Sequence, residues 1–214
     1  MSVELMLGLS KPSFLIINER ARKDFVIGVP HHAPAGTEKL PCPEHGVSDE
    51  NAGFLGHCLA DILDCCSVIA CNYTIDVNKR LRSDYAVQIA SWNPSVLVEI
   101  HGHGGNNAKY DIEISCGSKD RNENSKKLAE SLSEEFKKKD ELKYIRVCGD
   151  FHEIYFKASR TLTICDSRWL GFHIELPSSL RIPENSRIGK PNPAGYIFCS
   201  ILADILLKSN WCDQ

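Results

Sequence analysis

The chain lacks most of the features that assign a protein at sight. No run reaches the ~18 apolar residues a membrane-crossing helix needs, and Asp204 interrupts the apolar stretch near the C-terminus. The N-terminus carries Glu4 early and Lys11 soon after, without the basic segment and clean apolar core of a secretory signal, so a cytoplasmic location is expected. There is no excess of basic charge: 25 Lys and Arg stand against 28 Asp and Glu, a net charge of −3. That argues against nucleic acid as the main partner, because phosphate binding needs a basic face. Ten cysteines are present, yet none forms a CxxC pair. A zinc ribbon and a thioredoxin-type redox pair are therefore excluded. Several thiols, such as Cys199, sit in apolar stretches and read as small hydrophobes kept reduced in the cytosol.

The common catalytic signatures are missing too. His152-Glu153 has no second histidine at the spacing of a helical zinc protease motif. No serine nucleophile elbow backs the glycines of HGHGG, which do not form a dinucleotide fingerprint either. No H-x-E followed by PCxxC exists, which removes the zinc deaminases. No thiol lies in an activating context that would favour a cysteine hydrolase.

What remains is ordinary globular usage over 214 residues, with 43% hydrophobic and 25% charged, which suits a single domain spanning 1–214. Short runs rich in Val, Ile and Phe predict strands at 3–9, 13–19, 25–30, 67–72, 96–101, 111–116, 143–148, 153–158, 161–165 and 170–176. Helical periodicity predicts helices over 50–64, 83–91, 124–138 and 193–208, with Ser125 as a cap of the third and Asn192-Pro193 opening the fourth. The alternation points to a three-layer α/β/α sandwich around a mixed, largely parallel sheet. The charged run Lys137–Lys143 reads as a solvated helix end.

Five of eight histidines, His31, His32, His45, His101 and His103, gather at or beside two strand ends. FVIGVPHH runs out of one apolar strand and SVLVEIHGHGG out of another, and open α/β sheets place their sites at such ends. Imidazoles converging from two strand ends, with a carboxylate, make a donor set for Zn2+. Strand alternation puts Glu99, His101 and His103 on one face, so Glu99 can orient a ligand imidazole from behind, with His103 nearby. The carboxylate is expected from Ser48–Gly53, where Glu50 and Asp49 compete; Glu38 and Glu44 lie in a Pro-rich loop. RWLGFHIELP places His173 and Glu175 on one face of a late apolar strand. An acid there is costly unless paired or functional, and it suits a general base. Asn78, Lys79 and Arg80 follow the strand SVIACN and are candidates for binding a substrate carboxylate.

In order along the chain, VPHH, an acidic residue, IDVNK, EIHGH and FHIELP resemble the zinc carboxypeptidase superfamily, and within it the N-formylglutamate amidohydrolase branch. The resemblance covers about residues 25–205. It implies a zinc-dependent hydrolase of an amide bond, acting on a small molecule or short peptide that carries a carboxylate. It implies His31, with His32 as rival, and His101 as zinc ligands, together with Glu50 or an acidic neighbour. Glu175 matches the catalytic glutamate, and Asn78-Lys79 match the pair that holds the substrate carboxylate, with Lys79 standing where the family has Arg. The other reading is a metal-binding module that has lost catalysis and serves as a sensor or scaffold; it would need no Glu175.

Overall fold

The computed structural model describes residues 1–37, 42, 48–182, 192–209 and 211. Glu38, Glu44, His45 and Cys212 lie outside the described residues. In chain order the elements are helix α1 (Val3–Leu7), strands β1 (Phe14–Asn18), β2 (Arg22–Ala33) and β3 (Asp49–Glu50), helix α2 (Ala52–Leu63) and strand β4 (Cys65–Cys71). A 3-10 turn (Val77–Lys79), helix α3 (Asp84–Trp92), strands β5 (Val96–His103) and β6 (Ile112–Ser115), helix α4 (Asn122–Phe136) and strand β7 (Val147–Cys148) follow. The remainder is helix α5 (Leu162–Cys165), strand β8 (Leu170–Pro177), and helices α6 (Ser178–Arg181) and α7 (Pro193–Lys208).

The strands form one sheet in the order β1-β4-β2-β5-β8-β6-β7, with β3 added on β2. Pairings among β2, β4, β5 and β8 are parallel; β1 on β4 and β6 on β8 are antiparallel. Every residue of β4 is buried, as expected for a central strand covered on both faces. On one face α2, α4 and α7 pack Leu55, Leu59, Leu128, Leu132, Phe198 and Leu202 against Ile27, Val29, Val98, Ile100, Phe172 and Ile174. On the other, α3 packs Tyr85, Ile89 and Trp92 against Val26, Val68 and Leu97. The layered α/β architecture read from the sequence is the one found.

The alternate positions of β5 and β8 follow from this arrangement. Val98, Ile100, Phe172 and Ile174 occupy the α2/α7 face, so Glu99, His101, His173 and Glu175 project to the α3 face. Parallel register sets Glu99 beside His173 and His101 beside Glu175.

Five local expectations are corrected. Residues 3–9 are not a strand: Ser2 caps α1 by accepting from the Leu5 N–H, Glu4 sits in the first turn and Gly8 ends it. Residues 153–158 form no strand, because the Glu113 carboxylate accepts the N–H groups of Tyr155 (2.8 Å) and Phe156 (2.9 Å) that a ladder would have used. The expected strand at 161–165 is the short helix α5, and that at 143–148 shrinks to β7. Ser125 lies inside α4, not at its cap, and its hydroxyl donates to the carbonyls of Asn122 and Gly149.

Gly28 in β2 ties fold to site. A Cβ there would collide with the Tyr85 hydroxyl, which donates to Glu99 at 3.0 Å. Gly28→Ala is expected to displace Tyr85 and destabilise the protein by about 1–3 kcal/mol, the usual cost of overpacking, read as a lower urea midpoint at unchanged slope. An unchanged midpoint would show that Tyr85 is free to move.

Candidate metal centre

The end of β2 is irregular. Val29 pairs with Ile69 and His32 with Cys71, so three steps on β2 face two on β4. The bulge falls at Pro30-His31, a position where proline's missing N–H is tolerated. Plain alternation would have put His31 on the same face as Ile27 and Val29. The extra residue instead turns His31 to the α3 face and His32 towards α2.

His32 is thereby a packing residue. Its Nδ1 accepts the Gly53 N–H at 3.1 Å, its Nε2 donates to the Leu7 carbonyl at 3.0 Å, and its ring meets Phe54 edge-on. Burial pushes its pKa down to about 4, which fits a neutral imidazole with both nitrogens engaged. It is not among the groups of described residues that could hold a cation. Glu50 is corrected likewise: its Oε1 accepts the Gly36 N–H at 3.0 Å, and it belongs to no such group. The carboxylate that reaches the histidines is its neighbour Asp49, opposite His32 in the two-residue strand β3.

His31, Asp49 and His101 bring one nitrogen or oxygen each to within 4.8 Å of one another. Asp49 Oδ2 lies 3.5 Å from His31 Nδ1 and 3.2 Å from His101 Nδ1. Bonds of ~2 Å to a tetrahedral zinc imply donor-donor edges of about 3.3 Å, so the spacing fits that ion. Both outer imidazole nitrogens are held by carboxylates. His31 Nε2 donates to Asp76 Oδ1 at 2.9 Å, and His101 Nε2 faces Glu99 Oε2 at 3.3 Å. This fixes the tautomer that aims each Nδ1 inward and raises its basicity.

Glu99 is fully buried and receives Tyr85 Oη, Thr163 Oγ1 (2.6 Å), Asn78 Nδ2 (3.0 Å) and His101 Nε2. A second cluster of Glu99, His101 and His173 is close enough to hold a cation. With four donors on Glu99, however, that cluster reads as a support for His101. Burial pushes the Glu99 carboxyl up, but the hydrogen bond and charge of His101 outweigh it and the net shift is down.

Glu175 and His173 complete the α3 face. His173 Nε2 lies 3.1 Å from Glu175 Oε1, while Glu175 Oε2 and His173 Nδ1 are buried with no hydrogen-bond partner among the described residues. The His173 ring packs 4.0 Å from that of His101. Burial raises the Glu175 carboxyl, but the His173 hydrogen bond and the charge of His101 bring it below the ordinary carboxylate range. Burial and the His101 charge push His173 down, so it stands as the neutral partner.

The other expected residues lie outside the three-donor group. Asn78 is buried and spends its amide N–H on Glu99. Lys79 pairs with Asp76 at 2.6 Å. Arg80 is exposed beyond the 3-10 turn. His103 donates to the Asp111 carbonyl at 2.9 Å and accepts the Gly105 N–H, which holds the loop after β5 rather than a cation.

Sequence reasoning missed Asp76 and Arg181. Asp76 was within reach, since it stands two residues before Asn78 in IDVNKR. Arg181 gave no signal. It is buried, and its guanidinium donates to the carbonyls of Leu176 (3.2 Å), His103 (3.2 Å) and Glu50, binding the ends of β8, β5 and β3 together. Gly102 leaves the space it needs, since a Cβ there would strike the guanidinium.

No family model matches the sequence, and no curated protein matches it. Solved structures do. A bacteriophage poly-gamma-glutamate hydrolase superposes with a TM-score of 0.61 at 11% identity over 92% of this chain and 88% of its own. N-formylglutamate amidohydrolase from Ralstonia eutropha JMP134 gives 0.53 at 12% identity over 91% and 96%. The gene product Atu2144 from Agrobacterium tumefaciens gives 0.54 at 14% identity over 91% and 92%. The chain has the fold of these proteins.

Two outcomes are expected. Supporting partners of metal-bound histidines are worth about 10–100-fold in affinity, so Asp76→Asn should weaken zinc binding by that range and Asp49→Asn by more. Glu50→Gln should leave it unchanged; equal losses at Asp49 and Glu50 would refute the assignment. In the metal-free protein, burial lowers the His101 pKa but hydrogen bonds to Asp49 and Glu99 prevail, raising it to about 10. A cation must displace the Nδ1 proton, so apparent zinc affinity should climb with pH below that value, by about tenfold per unit for each proton released. Calorimetry in buffers of different ionisation enthalpy counts those protons, and no release at neutral pH would contradict it.

Proposed function

We propose that the chain is a zinc-dependent hydrolase of amide bonds whose substrate is a small molecule or short peptide bearing a carboxylate. The observation that carries this reading is the convergence of His31, Asp49 and His101, with Glu175 opposite His101 on the adjoining strand. When bound by those three side chains, zinc would supply Lewis-acid polarisation of a carbonyl and acidification of water.

The chain's own residues supply the rest. Glu175 is anionic and keeps Oε2 available while Oε1 is steadied by His173. It takes the proton of the attacking water on that oxygen and returns it to the leaving nitrogen. Asp76 and Glu99 hold the two imidazoles in one tautomer through the cycle. Arg181, drawn up by three carbonyls beside Asp49 and Glu175, balances part of the negative charge. The named neighbours are a hydrolase of poly-gamma-glutamate and an amidohydrolase of N-formylglutamate, which supports an amide as the scissile bond.

The test is a panel of N-formyl and N-acetyl amino acids with zinc-loaded protein. Hydrolysis that a chelator abolishes is expected for at least one member. Glu175→Gln should lower kcat by about 10²–10⁴-fold, the range for a general base, with zinc content unchanged. Full zinc occupancy with no turnover on the panel would favour the non-catalytic metal module. Turnover unaffected by Glu175→Gln would remove Glu175 from the base role.

A further inference from the structure

No activating context for a thiol is visible in the sequence, yet the fold brings two thiols together from distant segments. Cys58 lies on α2 and Cys199 on α7, and both are free. A Cβ at Gly195 would stand 2.8 Å from Leu55 Cδ2, so α7 rides close on α2 at this point. One turn further along α7 is Cys199, and three residues after Leu55 is Cys58, on the same face of α2. Cys199 Sγ lies 3.4 Å from the Leu55 carbonyl, against the α2 backbone itself. The turn that carries this carbonyl also carries Cys58, and the two thiols are in hydrogen-bonding contact.

The pair is unequal in the way a reacting thiol and its resolving partner need to be. Cys58 is half-buried and within reach of a small solute, whereas Cys199 is fully buried. The hydrogen bond from Cys199 holds the Cys58 thiol below its ordinary value, outweighing burial. Burial pushes Cys199 well above its own. Burial likewise pushes up the thiols of Cys65, Cys71, Cys116, Cys148 and Cys165. Cys66 Sγ is held between the backbone N–H and carbonyl of Arg20. The thiolate is the reactive form, which singles out Cys58 among the described residues.

We propose that Cys58 and Cys199 form a peroxide-reactive pair, which a hydroperoxide converts to a disulfide joining α2 to α7. The Cys58 thiolate attacks one oxygen of hydrogen peroxide and the O–O bond breaks. The departing hydroxide takes up the proton that Cys58 released and leaves as water, and Cys58 becomes a sulfenic acid. The Cys199 thiol then attacks the Cys58 sulfur and the S–O bond breaks. Hydroxide departs with the Cys199 proton as a second water. Two thiols lose two electrons, and one peroxide is reduced to two waters. The pair shares no residue with the metal centre and does not depend on the hydrolase reading.

The full chain, reduced and then freed of reductant in the presence of a chelator, is treated with stoichiometric hydrogen peroxide. Remaining thiols are blocked with N-ethylmaleimide in denaturant, and the non-reducing digest is read by mass spectrometry. The first product expected is the Cys58 peptide joined to the Cys199 peptide with the loss of two hydrogens, separated again by dithiothreitol. Cys199→Ala replaces one small buried apolar side chain with another. It should stop the reaction at a Cys58 sulfenic acid that dimedone traps, and Cys58→Ser should leave Cys199 unoxidised. First oxidation at any other cysteine, a Cys58 sulfenic acid in the wild-type chain that never joins Cys199, or undiminished oxidation of Cys199 in Cys58→Ser would overturn the pair. Should either variant fail to fold, the wild-type digest decides alone.

Discussion

Two buried carboxylates, Asp76 and Glu99, each hold the outer nitrogen of an imidazole, and the centre depends on that pair of contacts. Unsupported, His31 and His101 could rotate or swap tautomers, and neither Nδ1 would be committed to Asp49. Removing a carboxylate from water is expensive unless its oxygens are hydrogen-bonded. Glu99 meets that condition with donors from α3, the 3-10 turn, α5 and β5. Four separate elements must be in place before His101 is aimed, so assembly of the fold and assembly of the centre are the same event.

Charge explains the remaining geometry. Asp49, Asp76, Glu99 and Glu175 are all nearly inaccessible to water and close to one another. Like charges so placed raise each other's pKa and repel. The protein offsets this with Lys79 on Asp76, Arg181 on the strand ends and protons on the two imidazoles. The imidazole protons sit where a divalent cation would bring more positive charge to the same point. A cluster built this way favours a metal.

Much of this was legible in the sequence, and the failures have physical causes. Alternation alone set Glu99 and His101, and His173 and Glu175, on one face of β5 and β8, because those strands are regular and bury an apolar row on the other side. The same rule misleads at VPHH, where the bulge at Pro30-His31 exchanges the faces of the two histidines. It is silent between Asp49 and Glu50, since a two-residue strand has no periodicity to read. The misplaced strand at 153–158 shows a long-range competitor: a carboxylate forty residues upstream takes the backbone N–H groups. Asn78 reads as a substrate contact through the family resemblance, and what no pattern announces is that its amide N–H donates to the buried Glu99 carboxylate.

The claim on which everything rests is that a cation is bound through the inner nitrogens of residues 31 and 101. Crystals grown with zinc and measured on either side of its absorption edge test this directly. The expected result is one strong anomalous peak about 2 Å from His31 Nδ1, His101 Nδ1 and an Asp49 oxygen, with the Nε2 atoms still on Asp76 and Glu99. A peak ligated by Nε2 atoms, or centred between Glu99 and His173, would contradict it.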